Sequence, residues 1–193
     1  MSRWVAEPLS ASAALAFGLA CGLALGGGAA RAGEAGSWRP SRVLIEAGAG
    51  DHVAAAVVGL RWDWPWDHVG RWGRLGGQWE AVAGRWFVVD PGRGDRDGVT
   101  RFGLTPVLRF WPGAGHWFVE GGIGANALTP LYHNRDKRFS TTFQFGDHLG
   151  VGWRFGAQRE NEFVVRLQHF SNGGIRNPNP GENFIELQYS HPL

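Results

Sequence analysis

Among its 193 residues the chain has one cysteine, Cys21, one methionine and two tyrosines. A single thiol cannot form an internal disulfide. Because Cys21 falls in an N-terminal segment expected to be removed, no thiol remains for nucleophilic catalysis or metal ligation. Charge of one sign is lacking as well: the formal net charge is +2, which gives no basis for a nucleic-acid partner. Past the first thirty-odd residues there is no apolar run near the ~20 residues that a membrane-crossing helix needs. The His, Asp and Glu residues show no HExxH or similar ligand spacing, so no metal is implied.

What is abundant is glycine and large aromatics, with 31 Gly, 11 Trp and 12 Phe. Dispersed in short runs, they indicate many strands and turns rather than helices. The N-terminus has a different character. Arg3 supplies a positive start, Ala11 to Leu25 an apolar stretch, and Ala30-Arg31-Ala32 a small-x-small cleavage site, the three parts of an export signal. Residues 1–32 are therefore expected to be a signal peptide and 33–193 the exported domain. A membrane anchor is the alternative, disfavoured by the shortness and glycine content of the apolar run. A lipoprotein reading around Cys21 is weaker, because Gly18 stands where leucine is usually wanted.

The exported part alternates with a period of two. Phe143, Phe145, Leu149, Val151 and Trp153 alternate with Gln144, Gly146, His148, Gly150 and Gly152, with Asp147 the one break in the apolar row. Phe102, Leu104, Pro106, Leu108 and Phe110 form another such row, and Trp117, Val119, Ile123 and Ala125 a third. These are half-apolar strands. Eight are expected, at about 42–49, 53–62, 77–89, 100–110, 116–126, 140–154, 161–171 and 183–191. Short connections at 112–115 and 156–159 face long polar ones at 90–99, 127–139 and 172–182, the asymmetry of an outer-membrane barrel. The Trp-rich segment 63–76 is the exception, being long for a turn.

Periodicity alone also allows a soluble lipocalin-like barrel with its apolar rows inside. Export, the aromatic content and the small or charged residues Arg109, Glu120, Gly122 and Gly124 on the opposite face favour an all-β, eight-stranded antiparallel transmembrane barrel. Eight strands leave an interior that side chains fill, so no diffusion pore is expected. Arg109, Glu120 and Arg166 would then be ion-paired inside.

His169-Phe170-Ser171-Asn172-Gly173-Gly174 ends the seventh strand. On a strand, His169 and Ser171 share a face, with Cα atoms about 6.6 Å apart, and both extend the apolar row Phe163, Val165, Leu167. An imidazole and a hydroxyl on a lipid-facing row suit an enzyme whose substrate is itself a lipid. Without more context, the same residues would be an ordinary strand end and turn.

With the following Pro178-Asn179-Pro180-Gly181-Glu182 loop and the closing strand, this segment resembles the PagL family of outer-membrane lipid A 3-O-deacylases. The resemblance implies an eight-stranded barrel with a Ser-His-Glu triad on its lipid-facing side. Ser171 would be the nucleophile and His169 the general base. Glu182, directly after the loop, would orient the imidazole, with Glu186 the alternative. Asn172 and Gly173 would stabilise the oxyanion.

Lipid A or lipopolysaccharide in the outer leaflet of a Gram-negative outer membrane is the implied partner. No cofactor is expected, and a homodimer is the one protein association considered. The competing function is a non-catalytic small barrel with a structural or adhesive role. His133, Arg135, Lys137 and Arg138 form a basic loop that is either plain surface or a partner for lipid A phosphates. The loop Gly92 to Gly98 lacks the spacing of a Ca²⁺ site, and its Arg-Gly-Asp is a common accident.

Overall fold

The computed structural model describes residues 39–89 and 98–193. The expected signal peptide over 1–32 and the 92–97 part of the polar loop lie outside the described residues. Eight strands form: β1 Arg42–Gly50, β2 Val53–Gly70, β3 Gly73–Val88, β4 Gly98–Trp111, β5 Trp117–Thr129, β6 Phe143–Phe155, β7 Asn161–Ser171 and β8 Glu182–Pro192. Each pairs antiparallel with the next, and β8 closes on β1, so the sheet has no free edge.

The connections 130–142 and 172–181 gather at one end, together with the tight turn at Asp51–His52, the end of β3 and the start of β4. The short turns at 71–72, 112–116 and 156–160 occupy the other. The Trp-rich exception resolves here, because 63–76 is mostly strand and not a connection. β2 and β3 run on to a two-residue turn at Arg71-Trp72, with a register shift between Asp63 and Asp67. Pro65 sits in that shift, where a residue with no N–H to donate is tolerated. Trp64 packs edge-on against Trp79 with centroids 5.9 Å apart, stiffening the extension.

The alternation sorts side chains strictly. Leu149, Leu167 and Ile185 point outward at 67%, 64% and 60% exposure, whereas Arg61 and Glu162 are wholly buried inside. A soluble lipid-binding barrel would have the reverse arrangement, so the outer rows are the lipid-contacting surface. Outward aromatics bracket an aliphatic belt: Phe87, Phe102, Phe143 and Phe145 toward the long loops, and Trp117, Trp153, Phe155 and Phe163 toward the short turns. Phe145 to Trp153, at ~3.4 Å per residue and ~40° tilt, spans roughly 21 Å along the barrel axis, close to a bilayer's apolar thickness for such barrels.

Inside, the middle layer is ionic. Arg166 donates to Glu80 Oε1 and Oε2 at 2.8 and 3.0 Å and to Glu120 Oε1 at 2.7 Å. Arg109 bridges Glu120 and Glu162, each at 2.7 Å. Arg61 joins Glu162 at 3.0 Å and Glu80 at 3.1 Å. Three arginines and three glutamates thus alternate in a closed ring, which makes burying so many charges tolerable. Trp86, Tyr132, Phe139, Phe170 and Phe184 plug the lumen toward the long loops, and Trp111, Phe118 and Val164 plug it toward the short turns. The filled interior matches the expectation that no pore exists.

Candidate active site

On β7 the period of two turns Glu162, Val164, Arg166, Gln168 and Phe170 inward and Phe163, Val165, Leu167, His169 and Ser171 outward. His169 and Ser171 therefore share the lipid-facing wall, as their spacing predicted. Ser171 stands opposite Phe145 of β6, at the level of the aromatics nearest the long loops. His169 stands opposite Asp147 of β6 on one side and Asn183 of β8 on the other.

The imidazole is oriented by Asn183: His169 Nδ1 lies 2.6 Å from Asn183 Oδ1. An amide oxygen only accepts, so Nδ1 carries the hydrogen and Nε2 keeps its lone pair for a proton. Gly181 packs against the same ring. Its φ is +68°, and a Cβ there would come within 2.7 Å of His169 Cε1. Only glycine meets both demands.

Neither expected carboxylate reaches His169. Glu182 pairs in register with Phe170 and so faces inward, fully buried. Its Oε2 accepts from Tyr132 Oη at 2.9 Å and its Oε1 from Lys137 Nζ at 2.7 Å. Burial, and then the Glu182 charge, raise the Tyr132 pKa, which keeps that phenol a donor. Glu186 is buried inside beside Arg101, 3.7 Å away. Both glutamates lie on the even positions of β8, and only odd positions face lipid. The parity was visible in the apolar row Ile185, Leu187 and Tyr189, which extrapolates back to Asn183.

Asn172 is likewise committed elsewhere. Its Nδ2 donates to Arg176 O at 2.7 Å and Ser140 Oγ at 3.2 Å, its Oδ1 accepts from Gly174 N, and its own N–H goes to Asn179 Oδ1 at 2.9 Å. It therefore holds the 172–181 loop in shape and has no donor left for an oxyanion. Gly173, with φ +64°, sits beside Phe145, a ring 3.1 Å from where its Cβ would be. Its N–H has no partner among the described residues. Of the basic loop, Lys137 is spent on Glu182, and Arg135 and Arg138 are exposed at the long-loop end.

A closed eight-stranded barrel with an apolar exterior and an ionic interior is the architecture of an outer-membrane barrel protein, and on its outer wall stand His169 and Ser171. The model of the family "Lipid A 3-O-deacylase (PagL)" matches residues 56–192, and the chain belongs to that family. The lipid A deacylase PagL of Bordetella bronchiseptica is 34% identical over 77% of this chain and 82% of its own length. The Pseudomonas aeruginosa lipid A deacylase PagL is 31% identical over 70% and 76%. A crystal structure of the outer membrane enzyme PagL superposes with a TM-score of 0.69 at 27% identity, covering 79% of this chain and all of that one.

Proposed function

We propose that this protein hydrolyses the 3-O-linked acyl ester of lipid A, using Ser171 as nucleophile and His169 as general base, from the outer leaflet. The single observation that carries this reading is the pair's position on the lipid-facing wall, level with the aromatics at the long-loop end. Long loops mark the cell exterior in barrels of this kind. A substrate anchored in the outer leaflet then has its ester at the height of the pair.

His169 Nε2 takes the Ser171 proton as Oγ attacks the ester carbonyl. The tetrahedral oxyanion is met by the Gly173 N–H. Collapse gives an acyl-serine, and the proton passes from the imidazolium to the departing sugar oxygen. Water, deprotonated by His169, then releases the 3-hydroxy fatty acid and regenerates Ser171. Asn183 keeps the imidazole in the required tautomer throughout, the place an asparagine takes in Cys-His-Asn proteases. Ser171 Oγ has no hydrogen bond among the described residues, so its link to His169 closes when substrate binds, as catalytic hydrogen bonds often do.

The test is purified barrel with lipid A, read by mass spectrometry. Ser171→Ala and His169→Ala should each abolish fatty-acid release while the barrel stays folded; undiminished release by either variant refutes its role. Arg135 and Arg138 are proposed to pair with the lipid A phosphates. Residues 1–32 are proposed as the export signal, checked by N-terminal sequencing of the protein from outer membranes. A homodimer is a further proposal, checked by sedimentation in detergent.

A further inference from the structure

We infer that Asp147 supplies the negative charge for the proposed Ser171–His169 pair, acting across the strand from the imidazole while Asn183 holds it from the other side. This rests on the deacylase reading above. An imidazole that takes the serine proton becomes a cation, and Asn183 orients it without neutralising it. On a wall facing hydrocarbon, an uncompensated cation is far less tolerable than in water. The expected glutamates are inside the barrel, so the compensating charge must come from elsewhere on the outer surface.

Asp147 is in the right place. It lies directly opposite His169 in the β6–β7 ladder, a position that puts the two Cβ atoms about 4.5–5.5 Å apart. Its surroundings are otherwise apolar. Phe145 and Leu149 flank it on β6, Ile123 faces it from β5, and Leu167 and Ile185 complete the wall below His169. Among the described residues it is the one carboxylate on the outward rows of β5 to β8. Inside the barrel, Glu46, Glu80, Glu120, Glu162 and Glu186 each sit within reach of an arginine, whereas the ionisable side chain that Asp147 faces across its ladder is His169. An ionisable group kept at membrane depth is costly and usually functional, with its partner adjacent. Asn183, His169 and Asp147 thus form a row across three strands: amide, imidazole, carboxylate. Asp147 is a positioning residue, since it acts on the reaction through His169.

The experiment compares Asp147→Asn, Asp147→Glu, Asn183→Glu in the Asp147→Asn background, and Ser171→Ala, with initial rates of fatty-acid release from lipid A in detergent micelles. Retention of the folded form is checked by gel mobility of unheated samples. Asp147→Asn is expected to lower kcat about 100-fold, the scale of a compromised general base, with KM nearly unchanged. Asp147→Glu should recover most of the loss. Asn183→Glu should recover at least tenfold in the Asp147→Asn background, because it restores a carboxylate beside the same ring. Wild-type kcat in folded Asp147→Asn, with Ser171→Ala inactive, overturns this inference alone. Loss of kcat that neither glutamate rescues also overturns it, because the role would then be structural. An active Ser171→Ala overturns the deacylase reading itself.

Discussion

Replacing Arg166 by methionine tests whether the ionic ring holds the barrel together. Arg166 bonds both oxygens of Glu80 at 2.8 and 3.0 Å, reaches Glu120 at 2.7 Å and Glu46 at 3.3 Å, and is almost completely buried. Methionine keeps similar bulk but leaves three buried carboxylates short of a donor. Each retains one further arginine: Arg61 on Glu80 at 3.1 Å, Arg109 on Glu120 at 2.7 Å and Arg101 on Glu46 at 3.4 Å. The damage is therefore that of one broken buried pair, about 3–5 kcal/mol, rather than three. With a urea m-value of about 2 kcal/mol/M, the unfolding midpoint should fall by roughly 1.5–2.5 M. Equilibrium urea unfolding of the barrel in lipid vesicles, followed by tryptophan fluorescence, reads this shift through the lumen residues Trp86 and Trp111. Arg166→Lys, which keeps the charge and loses the two-pronged contact, should fall between wild type and methionine. A shift below about 0.5 M in Arg166→Met would correspond to ~1 kcal/mol and would refute the claim that the ring is a closed, interdependent set.

Two other substitutions separate the parts of the site. Gly181→Ala forces a side chain onto His169 Cε1 at a left-handed backbone position, and the displaced ring should cost about 100-fold in kcat while unheated gel mobility stays that of the folded barrel; full activity would mean the loop does not locate the imidazole. Glu182→Gln removes the carboxylate that Lys137 and Tyr132 share. It should loosen the 130–142 segment by about 1–3 kcal/mol, seen as faster cleavage there in limited proteolysis, with turnover within a few-fold of wild type. Turnover as low as in Ser171→Ala would return Glu182 to the catalytic role expected from sequence.

What the amino-acid order determined by itself is whatever depends on parity along a single strand. Alternation is a local property, because successive side chains on a strand must point to opposite faces. The eight strands, the apolar exterior with Arg109, Glu120 and Arg166 inside, and the shared outward face of His169 and Ser171 were all legible from it. So was the anomaly of Asp147, a carboxylate in an apolar row. The same parity, followed along β8, already separated Glu182 and Glu186 from the outward row.

Only the tertiary structure decided who meets whom across strands. Register depends on loop lengths and on closure of the whole sheet, and a slip of one residue turns every side chain of a strand to the opposite face. That is why Asn183 and Asp147 as the neighbours of His169, the commitment of Asn172 to its own loop, the continuation of β2 and β3 through 63–76, and the alternating ring of arginines and glutamates emerged with the closed barrel. The ring joins residues as far apart as Glu80 and Arg166, and the shorter links, Asn172 to Arg176 among them, depend on loop and hairpin conformations that strand alternation does not record.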